Sequence, residues 1–234
     1  MNDKQLLPEM VQVWQETLNW QPNPSQHQQF QRLYAGILAG NRQLNLTRIT
    51  QPDDFWEKHL WDSLRGVASL LSEDEKPLKI IDIGTGAGFP GLPVAIALPS
   101  SSVTLLDSTR KKITFLDSLI PQLAIPNATT VLGRAEKVGQ HRQHHQHYDI
   151  ALVRAVGSPS ACADYALPFL KPGGLGILYR GHWSEDQTDE LKGKVELLGG
   201  AIASVESFTT PLSQSVRHCL YLRVPILLRY SATR

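Results

Sequence analysis

Residues 82–91 read Asp82-Ile83-Gly84-Thr85-Gly86-Ala87-Gly88-Phe89-Pro90-Gly91. An apolar run, Leu78 to Ile83, precedes them and predicts a buried strand; Leu92 to Leu98 follows and predicts a helix. Strand, glycine turn and helix form the arrangement on which α/β folds receive nucleotide cofactors. Glycine lets the backbone turn sharply there and approach a ligand closely. The leading aspartate and the Gly-x-Gly-x-Gly spacing favour S-adenosylmethionine over a dinucleotide. Ser102 to Leu106 predicts the next strand, and Asp107 ends it. A carboxylate there is suited to accept both hydroxyl hydrogens of an adenosine ribose. Its competing role is to cap the helix that begins near Thr109, and ribose binding is preferred.

The same glycines also satisfy Gly-x-Gly-x-x-Gly through Gly86, Gly88 and Gly91, so a nicotinamide enzyme is the first rival. Two features oppose it. Asp82 precedes the glycines where a dinucleotide fold more often has a small residue. Pro90 and Pro93 remove N–H donors where a pyrophosphate needs them. A sulfonium cofactor carries no phosphate and feels that loss less.

Downstream, strands are predicted at Leu78–Ile83, Val103–Leu106, Thr129–Leu132, Ile150–Val153, Gly174–Tyr179, Ala201–Phe208 and Cys219–Val224. Helices are predicted at Leu92–Leu98, Lys111–Leu119, Ser160–Leu170 and Glu185–Leu198. The alternation implies an α/β, Rossmann-like, mostly parallel seven-stranded sheet with helices on both faces. The last two strands follow one another directly, so a hairpin adds one antiparallel strand. Residues 1–75 are expected to form an N-terminal helical lobe, and residues 76–234 the cofactor-binding domain. The lobe holds Trp14, Trp20, Trp56 and Trp61. Ser25 is expected to cap a helix whose apolar face is Phe30, Leu33, Tyr34, Ile37 and Leu38. Asp53 or Asp54 is expected to cap another, running to about Leu71.

The chain has 234 residues and a formal net charge of +1, which gives no global signature of nucleic-acid binding; an RNA site needs a local basic patch. The two cysteines, Cys162 and Cys219, show neither zinc nor disulfide spacing and are expected to be buried free thiols. The N-terminus, MNDKQLLPEM, has no signal-peptide pattern, and no apolar stretch is long enough to span a membrane. A cytoplasmic monomer without membrane contact is expected. His141, His144, His145 and His147 lie in a Gln-rich polar stretch, which reads as a flexible solvated loop; no metal site is expected.

The motif through Gly91 resembles that of the bacterial 16S ribosomal RNA guanine-N7 methyltransferase family, also called glucose-inhibited division protein B. Leu44-Asn45-Leu46-Thr47, His59 with Asp62-Ser63-Leu64, Leu105-Leu106-Asp107-Ser108, Phe115-Leu116, Arg134-Ala135-Glu136 and Arg154-Ala155 also fit, in the family's order, from about residue 30 to about residue 224. The resemblance implies a class I methyltransferase that uses S-adenosylmethionine. Its implied partner is 16S ribosomal RNA or the small ribosomal subunit. It also implies cofactor contacts at Asp82, Gly84, Gly86, Gly88 and Phe89 of the loop, at Asp107, Ser108 and Thr109, at Ala135 and Glu136, and at Arg154. Arg180-Gly181 departs from the expected Lys-Gly, and Arg180 is an RNA-contact candidate on that basis.

The motifs absent from the chain favour a ring nitrogen or an oxygen as acceptor without choosing between them, and guanine N7 is what the resemblance implies. Guanine N7 has a free lone pair and no proton, so methyl transfer to it needs positioning rather than a strong base. The segment Asp149-Ile150-Ala151-Leu152-Val153-Arg154-Ala155 lacks the Asn/Asp-Pro-Pro-aromatic signature of exocyclic amine methylation, and no Pro-Cys pair offers a thiolate. Arg154 closes a buried strand where ligands bind, and is suited to hold a carboxylate or the target nucleotide; a structural salt bridge is the competing reading. Arg110, Lys111 and Lys112 open a helix, where cations are unfavourable, which hints at contact with RNA phosphate. Arg42, Arg48 and Lys58 are further candidates. His59 and Asp62, three apart on one helical face, are expected to share a lobe-interface hydrogen bond, with His59 framing the site. A non-catalytic ribosome-binding protein that retains the fold is the second rival.

Overall fold

The computed structural model describes residues 6–71 and 76–226. Residues 1–5 of the N-terminal stretch and the expected lobe boundary near residue 75 lie outside or at the edge of them. Four helical elements come first: α1 (Val11–Leu18), α2 (Pro24–Leu44), α3 (Pro52–Phe55) and α4 (Asp62–Arg65), the last two joined by a π-helical turn, Trp56–Trp61. Asn23, not Ser25, caps α2, through a reciprocal capping box with Gln26. Pro24 then sits at the first helical position, where its missing N–H costs nothing. The apolar stripe Phe30, Leu33, Tyr34 and Ile37 is at most 2% exposed. Each such side chain contributes about 1.5–3 kcal/mol by burial.

Helix α3 also begins earlier than expected, with Gln51 at the N-cap position, making no side-chain capping bond, and Pro52 following it. Asp53 and Asp54 fall in its first turn, which suits the helix dipole. The wide turn Trp56–Trp61 resets the register, so that Trp56, Glu57, His59, Leu60 and Trp61 are all buried. The helix stops at Arg65 rather than Leu71, and a 3₁₀ turn, Ala68–Leu70, follows. Tyr179 and Tyr221 donate hydroxyl hydrogen bonds to the carbonyls of Ser63 and Gly66, which fastens the end of this segment to the sheet.

The sheet contains β1 (Lys79–Ile83), β2 (Ser102–Asp107), β3 (Ala128–Leu132), β4 (Tyr148–Arg154), β5 (Leu170–Arg180), β6 (Ala201–Thr209) and β7 (Val216–Arg223), in the order β3-β2-β1-β4-β5-β7-β6. Strands β1 to β5 pair in parallel, and β7 runs antiparallel to β5 and β6. The connecting helices are α5 (Gly91–Ala97), α6 (Arg110–Leu123), α7 (Ala135–Val138), α8 (Pro159–Ala166) and α9 (Glu185–Leu197). Helix α8 is shorter than expected because Ser158 caps it early and a 3₁₀ turn, Leu167–Phe169, leads straight into β5 at Leu170.

Strand alternation sends β1 side chains to two cores. Ile80 joins one that also holds Trp14, Phe30, Trp56, Leu92 and Leu105, so the N-terminal helices and one sheet face share a continuous interior. Ile81 and Ile83 join the other, with Phe169, Leu191 and Leu220. Cys162 and Cys219 are buried free thiols. Among the described residues no helix is long and apolar enough to cross a membrane.

Candidate active site

The glycine turn is folded by its own backbone. The carbonyl of Leu106 accepts from both Gly84 N–H (2.8 Å) and Thr85 N–H (3.0 Å), tying the end of β1 to β2. Gly84 has φ +73°, and a Cβ there would lie 2.5 Å from Val156 Cγ2, so the position excludes a side chain on two counts. Asp82 is 1% exposed. Its Oδ2 accepts from Thr85 Oγ1 (2.6 Å) and from Gly91 N–H (2.8 Å). Burial pushes its carboxyl up to about 6. The structure therefore corrects the reading of Asp82 as a cofactor contact: it braces the turn from beneath.

A crevice of about 360 Å³ opens where β1, β2, β3 and β4 end. Its lining brings together Gly84, Asp107, Ser108, Thr109, Ala135 and Glu136. Gly86, Gly88 and Phe89 do not line it. Gly86 acts indirectly, donating its N–H to Asp107 Oδ2 (2.9 Å). Asp107 Oδ1 accepts from Thr109 N–H (2.8 Å). That bond goes to the N–H of the capping position itself, since α6 begins at Arg110 after Thr109, so Asp107 is not the helix cap. A carboxylate has about four lone-pair positions; two backbone N–H groups leave capacity for a ligand. Lys112, expected to meet RNA, instead lines this crevice with its Nζ 3.8 Å from Asp107 Oδ2. Arg110 and Lys111 are exposed and line neither this crevice nor the neighbouring cleft.

That cleft, of about 490 Å³, lies between the π-helical turn and the ends of β4, β5 and β7. Arg154 lines it rather than the crevice. Its Nη1 donates to Asp62 Oδ2 (2.9 Å) and to the Lys58 carbonyl (3.0 Å), and its guanidinium carbon lies 5.8 Å from the Phe89 ring centroid. Asp62 therefore pairs with Arg154, not with His59 as expected. His59 is 8% exposed and stacks on Phe89, with centroids 4.3 Å apart and planes at 8°. Burial first, then the nearby cations Arg154 and Lys58, lower it to about 3, so its imidazole is neutral. Its Nε2 lies 2.9 Å from Thr47 Oγ1. Asn41 brackets Thr47 by bonding both its N–H and its carbonyl, which fixes that hydroxyl. The Leu44-Asn45-Leu46-Thr47 motif is thus a turn that presents Thr47 to His59.

Several cleft residues carry no signal in the sequence. Glu57, 1% exposed, accepts from Leu212 N–H and Ser213 N–H through Oε1 (2.5 and 2.9 Å), clamping the β6–β7 loop against the helical segment. His182, Thr210 and Arg217 complete the far wall beside the expected Arg180. Lys58 is paired with Asp54 at 2.6 Å. Arg180 and Arg217 have no carboxylate partner among the described residues. Crevice and cleft meet at Ala155, which lines both and holds φ +55°, a left-handed conformation that costs a non-glycine residue energy. The junction lies at the end of β4 beside β1, where the strand order reverses and ligands enter open α/β sheets.

The His-rich segment is turn-like, with His141 and His145 exposed. His144 Nδ1 lies 2.7 Å from the Tyr148 hydroxyl, and His145 Nδ1 lies 2.9 Å from the Gly139 carbonyl. Among the described residues no group of three His, Cys, Asp or Glu is placed to hold a metal.

Residues 26–218 match the family model described as rRNA small subunit methyltransferase G. A protein of that name from Nostoc punctiforme is 64% identical over 220 residues, covering 93% of this chain and 90% of the relative. The namesake from Trichodesmium erythraeum is 57% identical over 230 residues, covering 95% and 89%. Two solved structures share the fold at low identity. M. jannaschii TYW2 in complex with AdoMet has a TM-score of 0.54 at 16% identity, covering 69% of this chain and 74% of its own. The 16S rRNA (adenine(1408)-N(1))-methyltransferase W203A mutant from Catenulisporales acidiphilia has 0.55 at 17%, covering 70% and 91%. These matches set aside the nicotinamide reading, and the chain belongs to the rRNA small subunit methyltransferase G family.

Proposed function

We propose that this protein methylates N7 of a guanosine in 16S ribosomal RNA, with S-adenosylmethionine in the crevice and the target nucleotide in the adjoining cleft. The observation that carries the reading is the junction at Ala155. It joins a crevice built by the glycine turn to a cleft rimmed by Arg180 and Arg217, which have no carboxylate partner among the described residues. The crevice falls in the range of about 300–1,000 Å³ usual for small-molecule sites. Its acid keeps acceptor capacity for ribose hydroxyls. Ser108 and Thr109 flank that acid, and Ala135 and Glu136 stand where β3 ends, suited to the adenine edge. Bound there, S-adenosylmethionine supplies an electrophilic methyl group on a cationic sulfur.

The protein's own residues supply position rather than proton transfer. N7 has no proton to remove, and His59, held at about 3, is neutral and bonded to Thr47. With the base held in line, orientation alone lowers the barrier. Arg180 and Arg217 are suited to RNA phosphates, and the exposed Arg110 and Lys111 add to the local positive field. The test is tritiated methyl transfer to unmodified small-subunit RNA and particles, followed by chemical cleavage at N7-methylguanosine. One new cleavage site is expected. Incorporation without cleavage would overturn the N7 assignment; cofactor binding without incorporation would leave a ribosome-binding protein.

A further inference from the structure

Arg154 and Asp62 stand side by side in the acceptor cleft, each half used. Arg154 spends Nη1 on Asp62 Oδ2 and the Lys58 carbonyl; its Nη2 and Nε make no hydrogen bond among the described residues. Asp62 spends Oδ2 on Arg154; its Oδ1 makes none among them. The side chains are 15% and 17% exposed, so the pair is held in place yet reachable. The Phe89 ring beneath the guanidinium and the carbonyl of Lys58 fix Arg154 from two further directions. The cleft therefore offers a fixed donor beside a fixed acceptor, next in sequence to the junction residue Ala155.

Purines differ in the order of these groups. Guanine shows an acceptor, O6, next to a donor, N1–H. Adenine shows the reverse, an N6 amino donor next to the acceptor N1. O6 also lies beside N7 on the base, so an arginine bound to O6 leaves N7 free and near the junction.

We infer that Arg154 and Asp62 form a base-reading pair: Arg154 donates to O6 and Asp62 Oδ1 accepts from N1–H of the target guanine. The inference rests on the substrate reading above and adds the means of its selectivity. It also gives Asp62 a part in the reaction. Methylation of N7 places positive charge on the base and makes N1–H a stronger donor. A carboxylate on that proton therefore binds the transition state better than the ground state. An adenine-like edge meets donor with donor and acceptor with acceptor, and both half-buried groups go unpaired.

The experiment uses small-subunit RNA carrying guanosine, inosine or 2,6-diaminopurine at the modified position. Inosine keeps O6 and N1–H, whereas 2,6-diaminopurine reverses them and keeps the 2-amino group. The intact protein is expected to accept inosine within about threefold of guanosine and to reject 2,6-diaminopurine by about 100-fold in kcat/KM. Asp62→Asn, whose amide presents either group, is expected to lose about 100-fold on guanosine and little on 2,6-diaminopurine, so the discrimination collapses. Thermal melting and S-adenosylmethionine affinity serve as controls and are expected to hold. If Asp62 merely props Arg154, both substrates fall together and the ratio survives, which overturns the inference. Equal use of the two purines by the intact protein overturns it as well. No methylation of the guanosine RNA by the intact protein would overturn the substrate reading itself, and this inference with it.

Discussion

The two cavities that meet at Ala155 are built in opposite ways. The crevice beside the glycine turn is tied together by bonds of β1, the turn and the end of β2, within residues 82–107. Gly84 and Thr85 bond to Leu106, Gly86 bonds to Asp107, and Asp82 braces the turn through Thr85 and Gly91. The neighbouring cleft is made by side chains from distant segments: Thr47 on His59, Asp62 on Arg154, and Glu57 on Leu212 and Ser213. A backbone-built site tolerates few changes of residue size. A side-chain-built site can lose one contact and keep its shape.

The sharpest way to break the first site is Gly91→Val. A Cβ at Gly91 runs into Leu105 Cδ2 and lies 2.8 Å from Asp82 Oδ2. The fully buried helix cannot yield, so a loss of about 3 kcal/mol is expected. Thermal or urea unfolding checks it, and an unchanged midpoint would mean that the helix shifts freely. Asp107→Ala comes next. It is expected to cost about 2 kcal/mol in S-adenosylmethionine binding, about 30-fold by calorimetry, without changing RNA affinity. An equal loss in both would show that the two cavities are not separable.

In the second site, His59 makes stability depend on pH. The unfolded chain takes up a proton below about 6.5, whereas the folded chain refuses it until about 3. The folded state binds fewer protons between those values. Stability is therefore complete above about 6.5 and declines as pH falls, by roughly 1.4 kcal/mol per unit. Asp82, raised to about 6, works in the opposite sense between 3.8 and 6. Comparison with His59→Gln isolates the histidine: the difference between the two stability curves should shrink steadily below pH 6.5. A constant difference would show that His59 titrates normally. The smallest effect is expected at the rim. Arg180→Ala and Arg217→Ala should each weaken RNA binding by about 1 kcal/mol and reduce its salt slope by about one, leaving cofactor affinity alone. A salt slope that does not move would remove that arginine from the phosphate contacts.

The same contrast explains what the amino-acid sequence discloses. The glycine turn, Asp107 and the strand–helix alternation are local patterns, so the sheet and the crevice could be read directly. The helices start at Asn23 and Gln51, ahead of Ser25 and Asp53, because Pro24 and Pro52 are accommodated in the first turn. The π-helical turn has no signature in its residues, yet it buries Glu57 and His59 together. The pairing of Asp62 with Arg154 spans 92 positions and that of Glu57 with Leu212 spans 155. No spacing rule reaches so far. Asp82 was misassigned for a related reason: its partners are two backbone-proximal donors of the turn itself, indistinguishable in one dimension from a ligand.

The Glu57 clamp has a consequence for how substrate arrives. Because one carboxylate oxygen gathers two amides of the β6–β7 loop, this bank of the cleft is already stiff before any RNA appears. The conformational entropy of that loop was surrendered when the chain folded and is not charged again at docking. A nucleotide entering the cleft would meet this loop already ordered.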